Sequence, residues 1–309
     1  MNIFERAAHN KRMSRIVITS FIFFFVFLGL GFDYYYGAGV RAPVFTLIAL
    51  LVGLILSYNG WYYGDKLVLF STRARPLDLN DISQKQWQNV VEEMSIAAGI
   101  PLPKTYVIDD PDPNAFATGR NPEHASIAVT RGLLGTLNRD ELQGVAAHEM
   151  SHIKNFDIRL MLVLAVLVGS IALIADWAMR GFFRGRRDSR RNEGAGGLII
   201  LVVWLFAVIL APIISHIMAM FVSRKREYLA DASGAELTRN PLALAAALEK
   251  IEARVGPTRS IHQGSAHLCI CDPKGSAMGM KDGRAADLFA THPPIKKRIE
   301  ALKEMAYQI

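Results

Sequence analysis

Only two cysteines, Cys269 and Cys271, occur in the 309 residues, spaced C-x-C. That excludes a disulfide framework and fits a reducing compartment. With no second Cys or His pair at finger spacing, they read as two buried or idle thiols and not as half of a metal finger. Charge is missing too, in particular places. Residues 16–32, 43–63, 160–175 and 198–222 contain no Asp, Glu, Lys or Arg. The three longer blocks match the roughly 20 residues needed to cross about 30 Å of hydrocarbon. No A-x-A cleavage site separates the first block from the second, so the first is not a removable secretory signal. Internal repeats are lacking, as is low-complexity sequence outside one Arg/Gly-rich stretch. A chain that is 51% hydrophobic with its excess gathered in blocks reads as an integral membrane protein.

The net charge of +7 and pI near 9.4 do not call for nucleic acid. Much of the basic excess flanks the apolar blocks, where Lys and Arg anchor spans and meet anionic lipid head groups. Arg6, Lys11, Arg12 and Arg15 precede the first block, placing that end in the cytoplasm by the positive-inside rule. An aromatic turn at Tyr34-Tyr35-Tyr36 follows, and the chain returns near Asp65 and Lys66. This defines an N-terminal transmembrane hairpin over 1–65. Blocks 160–175 and 198–222 suggest a second hairpin over 158–222, crossing fully or lying shallow. Its connecting residues 180–197 hold six arginines, against the usual charge bias for an outer loop. His216 in the last block either has a role or satisfies carbonyls freed by Pro212.

Between the hairpins, 66–157 reads as soluble. Ser83 to Gly99 has Trp87, Val90, Val91, Met94 and Ala98 on one helical face, and Thr105 to Ile108 and Ala125 to Thr130 read as strands. Asn138 followed by Glu141 marks a helix start. That helix carries His148-Glu149-Met150-Ser151-His152, an H-E-x-x-H pattern. Residues i and i+4 share a helical face, so His148 and His152 can point two imidazoles at one ion. Glu149 is displaced round the helix, within reach of a water on that ion. Nearby strands either pair with an extended substrate or merely cover the helix.

A third ligand is needed, with an open fourth position for water. After the last block, 223–309 forms the second part of the catalytic unit. It opens with a helical run in which Glu227 and Asp231 lie four apart. Glu227 as ligand and Asp231 as the orienting partner of His148 would complete a peptidase site. The plainer reading of this pair is a solvated helix face. Pro241 to Ala253 reads as a helix with Leu242, Leu244, Leu248 and Ile251 inward, and Pro294 to Met305 as a closing helix, basic on one face.

His148-Glu149-Met150-Ser151-His152-Ile153-Lys154-Asn155 with Asp157, Arg226-Glu227-Tyr228-Leu229-Ala230-Asp231, Asn114-Ala115-Phe116-Ala117 and Thr291-His292-Pro293-Pro294 together resemble the M48 family of membrane-bound metallopeptidases. The resemblance covers nearly the whole chain. It implies a zinc endopeptidase of the bacterial inner membrane, one Zn2+ per chain, with its active site facing the cytoplasm. It also implies a part in membrane-protein quality control and stress response, alongside other membrane proteases. By it, His148, His152 and Glu227 are zinc ligands, Glu149 is the catalytic acid/base, and His292 assists substrate or transition state. Tyr228 and Arg226 are further candidate donors by position. The expected fold is a mainly α membrane protein with about four transmembrane helices in two hairpins. To these it adds an α+β, zincin-type (gluzincin-like) catalytic domain with a small sheet. Expected partners are the lipid bilayer and membrane or unfolded protein substrates. Rival readings are a zinc-holding adaptor or chaperone, a metal transporter, and a peptidase for prenylated C-termini. Structural zinc usually takes four protein ligands, and a transporter would carry its ligands inside the spans.

Overall fold

A computed structural model describes residues 3–36, 42–167, 169, 224–254, 268–270 and 293–307. Two long helices come first, α1 (Ile3–Tyr36) and α2 (Val44–Ser71). Their stretches Ala7–Gly31 and Val44–Ser71 are long and apolar enough to cross a membrane, with mean hydropathy 2.1 and 1.8. Only 24% and 17% of their most apolar windows are buried, so the apolar faces look outward, unlike those of a core helix. Asp33 joins the pair, its carboxylate accepting the N–H groups of Phe45 and Thr46 (3.0 and 2.9 Å) at the start of α2. The second helix runs on through Asp65 and Lys66, because no Gly or Pro interrupts the chain after Gly64.

A unit of mixed strands and helices follows. Strand β1 (Arg75–Pro76) leads into α3 (Ile82–Ala98), which is capped by Asp81 and buries all five residues expected inward. Next come β2 (Lys104–Ile108), β3 (Ala115–Gly119), β4 (Ala125–Thr130), α4 (Arg131–Thr136) and α5 (Arg139–Lys154). Later elements are α6 (Arg224–Thr238), α7 (Pro241–Ala253) and α8 (Ile295–Ala306). The four strands form one sheet in the order β1-β2-β4-β3, parallel between β2 and β4 and antiparallel elsewhere. Strand β3, which lacks the β-branched run of its neighbours, was not evident from sequence and proves to be an edge strand of the sheet. Its free side meets residues 268–270 through an Ile270 N–H to Ala115 carbonyl bond of 3.0 Å and a Phe116–Cys269 bridge.

Alternation in the strands divides the core. Val107, Ala115, Ala117, Ile127 and Val129 face the main cluster, with α3, α5, α7 and α8. Ile108, Phe116 and Ala128 face a second cluster with Val68 and Leu69 of α2 and Met161 and Leu162. Residues 157–167 are helical and pack against the hairpin, with Val163 and Leu167 on Phe21 and Phe25. Gly60 and Gly64 permit this. A Cβ at either would stand about 3 Å from Val166 or Leu162 (2.9 and 3.0 Å). The remainder of the expected second hairpin, its arginine-rich link, His216 and Cys271 lie outside the described residues. Cys269 is buried. Leu242 is 52% exposed and not inward, because the buried stripe Leu244, Leu248, Ile251 follows i, i+4, i+7 and leaves Leu242 on the opposite face.

Candidate metal centre

Helix α5 begins in a full capping box. Asn138 Oδ1 accepts the Glu141 N–H (2.9 Å) and Glu141 Oε2 accepts the Asn138 N–H (2.8 Å). From that start the helix runs unbroken through the H-E-x-x-H residues, all three of which are buried. The His148 and His152 rings meet edge to face, with Nε2 atoms 3.2 Å apart. Across from them α6 presents Glu227, also buried. Its Oε2 is 3.7 Å from His148 Nε2 and its Oε1 3.6 Å from His152 Nε2. The close seat of α6 depends on Gly234, where a Cβ would stand 3.0 Å from the His148 backbone nitrogen.

These distances fit a metal ion. Ligand bonds of about 2.0–2.1 Å in tetrahedral geometry imply ligand–ligand edges of roughly 3.3–3.4 Å; the two Nε2 atoms are 3.2 Å apart, each faces a different Glu227 oxygen at 3.6 or 3.7 Å, and one ligand atom from each residue lies within 4.8 Å of the others. The other ring nitrogens face carboxylates. His152 Nδ1 is 3.0 Å from Asp157 Oδ2, and His148 Nδ1 stands 2.9 Å from Asp231 Oδ1, a close contact that is not a well-aligned hydrogen bond. Those partners favour the proton on Nδ1 and turn both Nε2 lone pairs toward Glu227. A donor set of this kind can hold a metal ion.

The comparisons agree with that chemistry. The model of peptidase family M48 matches residues 81–306. The chain belongs to peptidase family M48. Among curated relatives, "Protease HtpX homolog" of Thermoanaerobacter pseudethanolicus is 43% identical over 307 residues, covering 98% of each chain. The protein of the same description from Tropheryma whipplei strain Twist is 42% identical over 302 residues, covering 96% of this chain and 98% of that one. Among solved structures, S. mikatae Ste24p matches with a TM-score of 0.51 at 17% identity, covering 97% of this chain and 67% of that chain.

Electrostatics in this M48 metallopeptidase separate its two histidines. Burial lowers His148 below its usual 6.5, and its contact with Asp231 only partly opposes this. Burial also works against charge on His152, yet the Asp157 hydrogen bond and the nearby Glu227 carboxylate win and raise it to about 9. Asp231 is held near 2, because the Arg298 guanidinium overcomes its burial. Glu149 is raised to about 7, first by burial, with the His152 charge opposing and Glu227 adding to the rise. The Glu149 carboxylate accepts the Ala117 N–H of β3, while its Oε1 has no hydrogen-bond partner among the described residues.

All three expected ligands and Asp231 therefore come together, with Glu149 beside them; His292 lies outside the described residues. Arg226 turns toward Asp157 (Nη1 to Oδ1 3.6 Å), and Tyr228 is half-buried on α6. Three participants went unread in the sequence. Arg298, with 0% exposure, grips Asp231 in a fork (2.8 and 2.7 Å), donates to the Ile270 carbonyl (2.8 Å) and approaches Glu227 Oε2 at 3.4 Å. A signal for it existed. Arg298 shares the apolar face of Ile295, Ile299 and Leu302, where a buried guanidinium needs a buried acid. Asp157 as partner of His152, and Ala117 as partner of Glu149, had no comparable local signal.

Proposed function

We propose that this chain is a zinc-dependent integral-membrane endopeptidase that cuts membrane or misfolded proteins at the cytoplasmic face of a bacterial inner membrane. His148, His152 and Glu227 hold the zinc, and Asp231 and Asp157 orient the two imidazoles. The observation that carries this reading is the convergence of two Nε2 atoms, 3.2 Å apart, on the two oxygens of the buried Glu227 carboxylate at 3.6 and 3.7 Å, with the Glu149 carboxylate beside them. Zinc bound there supplies a Lewis acid that lowers the pKa of a ligated water and polarises a peptide carbonyl.

Glu149 does the proton work. A carboxyl group raised to about 7 can accept a proton from the attacking water near neutral pH and release it to the departing amine. The Ala117 N–H keeps that carboxylate in place. Residues 1–65 and 158–222 are two membrane hairpins, four spans in all, and 66–157 and 223–309 are the two parts of the catalytic unit. Because α5 leads directly into the helical residues 157–167 packed on α1 and α2, the cleft sits close to the bilayer, within reach of exposed loops of membrane proteins.

The test uses wild type and Glu149→Gln, purified in detergent, stripped with chelator and returned to zinc. Self-cleavage and loss of casein are followed. Cutting by wild type alone, and with zinc alone, is expected. Equal cutting by both proteins, or tight zinc binding with no cutting by either, would contradict the proposal.

A further inference from the structure

The turn that leaves the metal helix is strained and is gripped from the membrane side. Phe156 lies in the left-handed region at φ 59, a conformation that bulky L residues avoid. Three consecutive residues of this turn are each held by α1. Asn10 Nδ2 donates to the Asn155 carbonyl (2.9 Å) and to Asp157 Oδ1 (2.7 Å). Lys11 Nζ sits 4.0 Å from the centroid of the Phe156 ring. Asn10 is buried at the start of an apolar span, where an amide is expensive unless both its N–H groups are used. Both are used on this turn.

Asp157 is the point of convergence. One of its oxygens faces His152 Nδ1 and the other receives Asn10, with Arg226 of α6 at 3.6 Å. Arg226 immediately precedes Glu227. The first membrane helix thus touches the carboxylate that sets the His152 ring, and that carboxylate also touches the helix bearing the third ligand.

We propose that Asn10, supported by Lys11, is a positioning residue of the metal centre: it fixes Asp157 and through it His152, so that metal affinity depends on how α1 is seated. This rests on His148, His152 and Glu227 being the ligands. Partners of ligating imidazoles change metal affinity by about 10–100-fold when lost. Asn10 acts one bond further out, and a loss near the low end is expected.

The experiment measures zinc affinity by chelator competition in full-length Glu149→Gln protein, which does not digest itself. Into it are placed Asn10→Ala, Asn10→Asp, Lys11→Ala, Ser14→Ala and His152→Ala. Ser14 is the control. It is buried one turn further along α1 and its hydroxyl donates to the Asn10 carbonyl, its one side-chain bond among the described residues. Asn10→Asp keeps the side-chain shape and turns an oxygen toward Asp157, so it answers the question should Asn10→Ala fail to fold. The expected result is about a tenfold loss for both Asn10 variants, a smaller loss for Lys11→Ala and none for Ser14→Ala. In the cleaving protein, the Asn10 variants should lower kcat with KM unchanged. Parental zinc affinity in both Asn10 variants, with binding lost in His152→Ala, overturns the coupling alone. Retention of zinc by His152→Ala overturns the ligand assignment and this proposal with it. An equal loss in Ser14→Ala reduces the effect to general loosening of α1 and overturns the coupling.

Discussion

The two flanks of the metal triangle solve one problem in different ways. On the His148 side, a dry carboxylate is neutralised by a fully buried arginine, and the histidine stays below its usual pKa. On the His152 side, the carboxylate meets an amide from the membrane helix and a more distant guanidinium, and the histidine rises to about 9. An imidazole beside a carboxylate already paired in a fork feels little net negative charge. One beside a carboxylate without such a fork feels nearly all of it, together with Glu227. The lesson is that identical motif residues four apart acquire different protonation from partners that lie far away in sequence.

Breaking the His148 flank should have the largest effect. Arg298→Met leaves Asp231 buried and uncompensated, and a loss of about 3–5 kcal/mol is expected from denaturant unfolding in detergent. Between the flanks, Glu149→Gln should do the reverse. A carboxyl whose pKa rises on folding from 4.5 to about 7 destabilises the fold progressively as pH climbs through that interval. In chelator above about pH 7, the variant should therefore be more stable than wild type, by on the order of 3 kcal/mol.

Asp231→Asn and Asp157→Asn sharpen the contrast directly. Each should weaken zinc binding by about 10–100-fold. Asp231→Asn should lose more, because it also strands Arg298, whereas Arg226 retains a partial route to solvent. Chelator competition on both variants decides it, and a larger loss in Asp157→Asn would reverse the ranking. A further expected effect is in pH dependence. His152 gains affinity for its proton on folding, so its contribution is fully present below 6.5 and is lost as pH rises through about 9. In chelator, the stability of wild type should fall over that window. Asp157→Asn should flatten the fall, and Asp231→Asn should leave it.

Much of the His148 flank was legible in the sequence. The capping box at Asn138 and Glu141 marked the start of α5, the i, i+4 spacing placed both histidines on one face, and Glu227 and Asp231, which by spacing alone read as a solvated face, became candidates beside that H-E-x-x-H helix. These are local signals, since helical periodicity converts directly into facing side chains. Both apolar helices of the first hairpin were equally plain. The His152 flank was not. Asn10 and Asp157 are 147 residues apart and meet only because the membrane hairpin packs on the segment that follows α5. Arg298 went unread within a closing helix described only as basic on one face, because Lys296, Lys297 and Lys303 surround it in sequence while the helix turns it inward. Strand β3 escaped notice because Ala-Phe-Ala-Thr-Gly has little strand propensity of its own. Pairing with β4 makes it a strand.

The central claim is that, of the two buried glutamates beside the histidine pair, Glu227 binds the metal and Glu149 does not. The most direct test is zinc retained per chain after dialysis of Glu149→Gln and Glu227→Gln against a chelator. Near-stoichiometric zinc in the first and little in the second is the expected result. Zinc kept by Glu227→Gln and lost from Glu149→Gln would contradict the account.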